Sequence, residues 1–191
     1  MSLAEKMSLV KETEELKKQI SEISIRVSET ISQMIRDLRS SASTEFKAFF
    51  EKAGFNVVES KEDKIQEQSK VPYSADTLTA VYMTLEYKLE IIDENAPFMG
   101  AASGMMDLML SNGKKIAISI DVNEKRDNFS SRSEPQDEIG KLKVLLQREK
   151  DSLERFKLRE SNLPHLKPVY WTVANRKSYS SFKELLEEYA N

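Results

Sequence analysis

The sequence predicts an α/β (α+β) chain in which a helical coiled-coil arm over residues 1–40 precedes a mixed-sheet domain over residues 41–191. Three observations carry that prediction. No Gly or Pro interrupts Leu9 to Leu38, and the apolar residues there recur in steps of three and four. Val81 to Ile91 alternates apolar and polar residues with a period of two, the signature of a strand with one wet face. Asn112-Gly113 stands between two apolar runs and supplies the positive φ that a tight hairpin needs.

In the arm, Leu9, Leu16, Ile20, Ile23, Val27 and Met34 form the apolar seam, with Thr13 and Thr30 at its polar positions. Charged residues such as Lys11, Glu15, Lys18 and Arg26 solvate the outer face. Such a seam needs a partner, either a second copy of the chain or the chain's own body. The reading adopted is a homodimer joined through residues 9–38. Ser40-Ser41-Ala42-Ser43-Thr44 predicts a break or a bend, because these residues compete for backbone hydrogen bonds.

Along the body, a helix burying Phe46, Phe49 and Phe50 is expected to stop at Gly54. Phe55 to Val58 reads as a short strand and Lys61 to Lys70 as a polar loop. Val81 to Ile91 is a single strand, and Asp93 to Pro97 turns the chain. Met105 to Leu110 and Lys115 to Val122 form the hairpin about Asn112-Gly113. After a polar loop from Asp127, Ser133-Glu134-Pro135-Gln136 has the form of a capping box for a helix striped by Ile139, Leu142, Leu145, Leu146, Leu153 and Phe156. Val169 to Val173 is a buried strand, and Ser181 caps a last helix. The crossover between Val122 and Val169 is long enough to make the last strand parallel to its neighbour.

Composition narrows the chemistry. The chain has 191 residues, 39% of them hydrophobic and 32% charged, with eight Phe, six Tyr and one Trp, so it can bury a core. Its 29 basic and 32 acidic residues nearly cancel, so any contact with nucleic acid must come from a local patch. With no Cys, disulfides, iron–sulfur clusters, Cys-ligated zinc and thiol nucleophiles are excluded. With one His, His165, no site built on two histidines can form. Neither a signal-peptide core nor a membrane span is visible, which predicts a cytoplasmic protein that makes no membrane contact. Gly100-Ala101-Ala102-Ser103-Gly104 lacks the Lys-Ser/Thr ending of a phosphate-binding loop and reads as close packing or a bend.

The segment from Gly104 to Asp121 resembles the core of the restriction-endonuclease-like nuclease superfamily. In that family an Asp on one strand is followed, across a hairpin, by an acidic residue, a hydrophobic residue and a Lys. The helices and strands on either side stand in the family's order. The resemblance implies a divalent metal, Mg²⁺ or Mn²⁺, held by carboxylates, with no other cofactor expected. By position Asp107 matches the first carboxylate. Ser119 stands where the second acid is expected, and Asp121 where the Lys is expected.

Asp107 and Asp121 are therefore the candidate catalytic residues, and Glu86 and Glu90 on the preceding strand are substitute metal ligands. A two- or four-residue hairpin loop places Asp107 on the face away from Ser119 and Asp121; a three-residue loop or a bulge places all three on one face. Lys125, Arg126, Arg132, Arg176 and Lys177, in loops after strands of the sheet, are the candidate nucleic-acid contacts. The missing acid and Lys favour a nuclease-like domain that binds or assembles without cutting. The alternatives are an active metal-dependent nuclease and a scaffold whose coil docks another protein.

Overall fold

The structure, a computed structural model, describes residues 3–66, 70–93, 96, 104–122 and 137–190. Helix α1 (Leu3–Lys52) leads into strands β1 (Asn56–Ile65), β2 (Pro72–Tyr82), β3 (Leu85–Ile92), β4 (Met106–Met109) and β5 (Lys115–Asp121). Helix α2 (Glu138–Asn162), a short 3-10 turn, strands β6 (Val169–Thr172) and β7 (Lys177–Tyr179) and helix α3 (Phe182–Tyr189) complete the chain. The chain divides into two compact units, Met1–Ile31 with Glu124–Leu166, and Ser32–Asn123 with Lys167–Asn191.

The first unit pairs the N-terminal part of α1 with α2. Ile23 and Val27 are buried with Leu153 and Leu163, and Leu16, Ile20, Ile31 and Phe156 pack around them. Lys6 bridges to Glu138, Glu12 to Lys150 and Arg26 to Glu160, so both sequence numbers rise together and the helices run parallel. Leu16, Ile20, Ile23 and Val27 of the seam are thus covered by α2 and the turn after it in the same chain. At the polar seam positions Thr13 and Thr30, each hydroxyl donates to the carbonyl four residues back, at 2.8 and 2.9 Å. Asp137 caps α2 by accepting from Gly140 N at 2.9 Å, so the cap is Asp137, and the expected capping box at residues 133–136 lies outside the described residues.

Among the described residues, the second unit holds a seven-stranded sheet in sequence order, antiparallel at every pairing. The mixed sheet expected from the sequence is not formed, because β6 lies antiparallel to β5, Ile118 facing Thr172 and Ile120 facing Tyr170. A long crossover permits a parallel return but does not require one. One face of the sheet carries Leu78, Leu89, Met106, Leu108, Ile118 and Tyr170, all buried. This core is shared with Ile35, Ala42, Phe46 and Phe50 of α1 and with Phe182, Leu185 and Leu186 of α3.

Of the break or bend expected at Ser40–Thr44, no break is formed, since α1 runs through the segment. Thr44 and Ser43 donate to carbonyls four residues back, and Ser41 donates to Glu45 at 2.7 Å. Ala42 is fully buried, and Tyr170 donates to the Leu38 carbonyl at 2.6 Å, so packing outweighs the weak propensity of the run. The helix ends where Gly54 N and Phe55 N reach back to the carbonyls of Glu51 and Phe50, and the rings of Phe50 and Phe55 meet at 5.1 Å.

Two strand expectations also change. Lys61 to Ile65 continues β1 instead of forming a loop, each residue facing one of β2 from Pro72 to Asp76. Val81 to Ile91 is two strands, because the chain reverses at Met83-Thr84 and Tyr82 faces Leu85. Met83 takes φ 53°, a conformation rarely adopted by a side-chain-bearing residue, which is why no turn residue marked the site. The reversal moves Val81 onto the face of Glu86.

A candidate site on the polar face of the sheet

The hairpin decides where the acids stand. Gly113 N donates to the Leu110 carbonyl and Leu110 N to the Lys114 carbonyl, both at 2.9 Å, while Gly113 takes φ 80°. This is a three-residue loop with glycine in the left-handed region, one of the two outcomes the sequence left open. Asp107 therefore faces Ala117 and shares its side of the sheet with Lys115, Ser119 and Asp121. Gly104 O accepts from Ile120 N at 3.0 Å, and a Cβ on Gly104 would stand 2.5 Å from Ile120 Cβ, so Gly104 is closely packed, while the rest of the segment expected to pack closely or bend, residues 100–103, lies outside the described residues.

On this face the four candidate acids separate. Glu90 of β3 lies directly opposite Asp107 of β4. Asp121 is four residues along β5 from Ala117, and Glu86 four residues along β3 from Glu90 in the opposite direction, each about 13 Å away at 3.3 Å per residue. The three-residue loop puts Asp107 and Asp121 on one face but does not bring them together, because a shared face is not a shared position along the strand. Among the described residues no three His, Asp or Glu side chains gather as a metal site.

Lysines meet the two opposed acids instead. Lys115 Nζ stands 2.8 Å from Asp107 Oδ2. Glu90 Oε1 accepts a short hydrogen bond from Lys64 and stands 3.3 Å from Lys88 Nζ. Glu62 closes the set, 3.1 Å from Lys88 and 3.3 Å from Lys64. Between β1 and β3, β2 offers only the small Ala75 and Thr77 opposite Glu62 and Glu90, so the long side chains of the outer strands meet above it.

Glu90 and Asp107 are buried, at 9% and 8% exposure, and charges so placed must be paired. Burial pulls the Lys64 pKa down, but Glu90 and then Glu62 outweigh it and hold the ammonium above the usual lysine value. Burial likewise favours the neutral form of Glu90, and Lys64 and Lys88 outweigh it, leaving the carboxyl below its usual range. The Lys88 hydrogen bond leads in lowering Glu62, and Asp107 overcomes burial to raise Lys115.

The sequence singled out Glu90 and Asp107 but missed Glu62, Lys64, Lys88 and Lys115. Their signal is charge at every second position, Glu62 with Lys64 and Lys88 with Glu90, which marks one side of a strand. Of the candidate nucleic-acid contacts, Lys125, Arg126 and Arg132 lie outside the described residues. Arg176 is exposed in the turn before β7, and Lys177 is bonded to Glu188 and lies 5.3 Å from the Tyr179 ring centroid. No described helix is long and apolar enough to cross a membrane. Compared with known protein families, with curated proteins and with solved structures, the chain matches none.

Proposed function

We propose that this chain is a binding or assembly module, and that the acids on its sheet serve the fold and not hydrolysis. The observation that supports this reading is the occupation of both buried carboxylates by lysines, Asp107 by Lys115 and Glu90 by Lys64 and Lys88. A divalent ion at Asp107 or Glu90 would have to displace these ammonium groups, and the set does not fit a metal centre. Ser119 and Asp121, where an acid and a Lys would serve a nuclease, point the same way. The assembly part of the reading does not draw on the α1 seam, since Ile23 and Val27 are covered by α2.

A second reading, a divalent-metal-dependent nuclease, draws on one observation. Glu90 and Asp107 oppose each other on adjacent strands, as two ligands of one ion would. Titration of the purified chain with Mn²⁺, followed by paramagnetic resonance, separates the two. The module reading predicts no site of millimolar affinity or tighter. Saturable binding that disappears in Glu90→Gln and Asp107→Asn supports the nuclease.

A further inference from the structure

Strand β1 is an edge of the sheet, paired with β2 along its whole ten-residue length, Asn56 to Ile65, without a bulge. It contains neither Pro nor Gly, the residues that interrupt such edges. Val58 and Ile65 are exposed at 53% and 66%. Among the described residues no strand pairs with the outer side of β1, and the outer backbone groups of such an edge form a template for one more antiparallel strand.

We infer that a second copy of this chain docks there, β1 against β1, in the register that places Ser60 opposite Ser60 of the copy. Charge selects that register. A two-fold axis normal to the sheet requires paired residues to share a face, so the central options are the registers centred on Glu59, Ser60 and Lys61. Centring on Glu59 opposes two glutamates. Centring on Lys61 opposes two lysines and sets Glu59 against Asp63 twice. Centring on Ser60 sets Glu59 against Lys61 twice and opposes no like charges, since Glu62 then faces Val58 and Asp63 faces Val57. Glu59 already bonds Lys47 at 3.1 Å, and Lys61 stands 4.0 Å from Asp93. Both side chains remain more than half exposed and in reach of a partner. The inference holds whether or not the acids of the sheet are catalytic, because it uses only the edge.

The absence of cysteine makes the test direct. Opposed residues in an antiparallel pair have Cα atoms about 4.5–5.5 Å apart, within disulfide reach. Full-length Ser60→Cys is expected to form a covalent dimer under mild oxidation, much faster than Ser178→Cys on the opposite edge strand. Glu59→Lys and Lys61→Glu should each weaken self-association about tenfold or more, and the double exchange should restore it. Circular dichroism verifies that each variant is folded. A full-length chain that sediments as a monomer at tens of micromolar would overturn the inference. So would a dimer in which Ser60→Cys crosslinks no faster than the control, or a double exchange that restores nothing.

Discussion

Glu90 and Asp107 face one another across β3 and β4, both nearly buried, and each is held by lysine from a different strand. Two carboxylates so placed repel unless positive charge stands beside them, so Lys64, Lys88 and Lys115 are part of the fold at this point.

Removing one partner should cost more than removing the pair. Lys115→Met leaves Asp107 buried without its ammonium and is expected to lower stability by about 1–3 kcal/mol. Lys115→Met with Asp107→Asn should recover part of that loss. A urea-denaturation cycle over the four proteins measures the coupling, and additive changes would mean that the pair is not formed.

The same set fixes the sign of the pH dependence. Glu62 and Glu90 titrate below the usual glutamate value of 4.5 in the folded chain, so their contribution is present above that value and is lost as pH falls through the folded pKa. Lys64 and Lys115 titrate above the usual 10.5, so theirs is present below that value and is lost as pH rises through the folded pKa. Urea midpoints should form a plateau between these limits, and Glu90→Gln should flatten the acid limb. An acid limb unchanged in that variant would place its cause elsewhere.

Gly104 should resist any side chain. The Cβ of Gly104→Ala meets Ile120 Cβ and the Ile120 backbone nitrogen, so β5 must shift to admit it. A cost of about 1–3 kcal/mol is expected from such overpacking. An unchanged melting temperature would mean that Gly104 and Ile120 are not in contact in solution.

The helical unit offers a test of what covers the seam. Leu153→Ala should destabilise the α1–α2 pair by about 2–5 kcal/mol, read as faster amide exchange in residues 13–27. Unchanged exchange, together with lost self-association in Val27→Ala, would mean that the seam faces a second chain.

Much of this fold was legible wherever a residue's neighbours in sequence decide its conformation. The part of the seam from Leu16 to Val27, the stop at Gly54, the hairpin at Asn112-Gly113 and the Ser181 cap all have local causes, and all four are present. The misses have non-local causes. Ser40–Thr44 stays helical because Ala42 is buried and Tyr170 bonds the Leu38 carbonyl. The turn at Met83-Thr84 was hidden because apolar residues alternate in the same rhythm on both sides of it.

The candidate site divides in the same way. Asp107 and Glu90 could be named from one strand each. That Lys64 reaches Glu90 from two strands away follows from register, and so does the separation of Asp107 from Asp121. No spacing within one segment encodes either.

Cleavage is the measurement that bears most directly on the role of the opposed acids. Purified chain with Mg²⁺ or Mn²⁺ is expected to leave single- and double-stranded DNA and RNA intact, with Asp107→Asn and Glu90→Gln indistinguishable from the parent. Metal-dependent cutting that is lost in both variants while their circular dichroism is kept would contradict the account and make Glu90 and Asp107 the metal ligands of a nuclease.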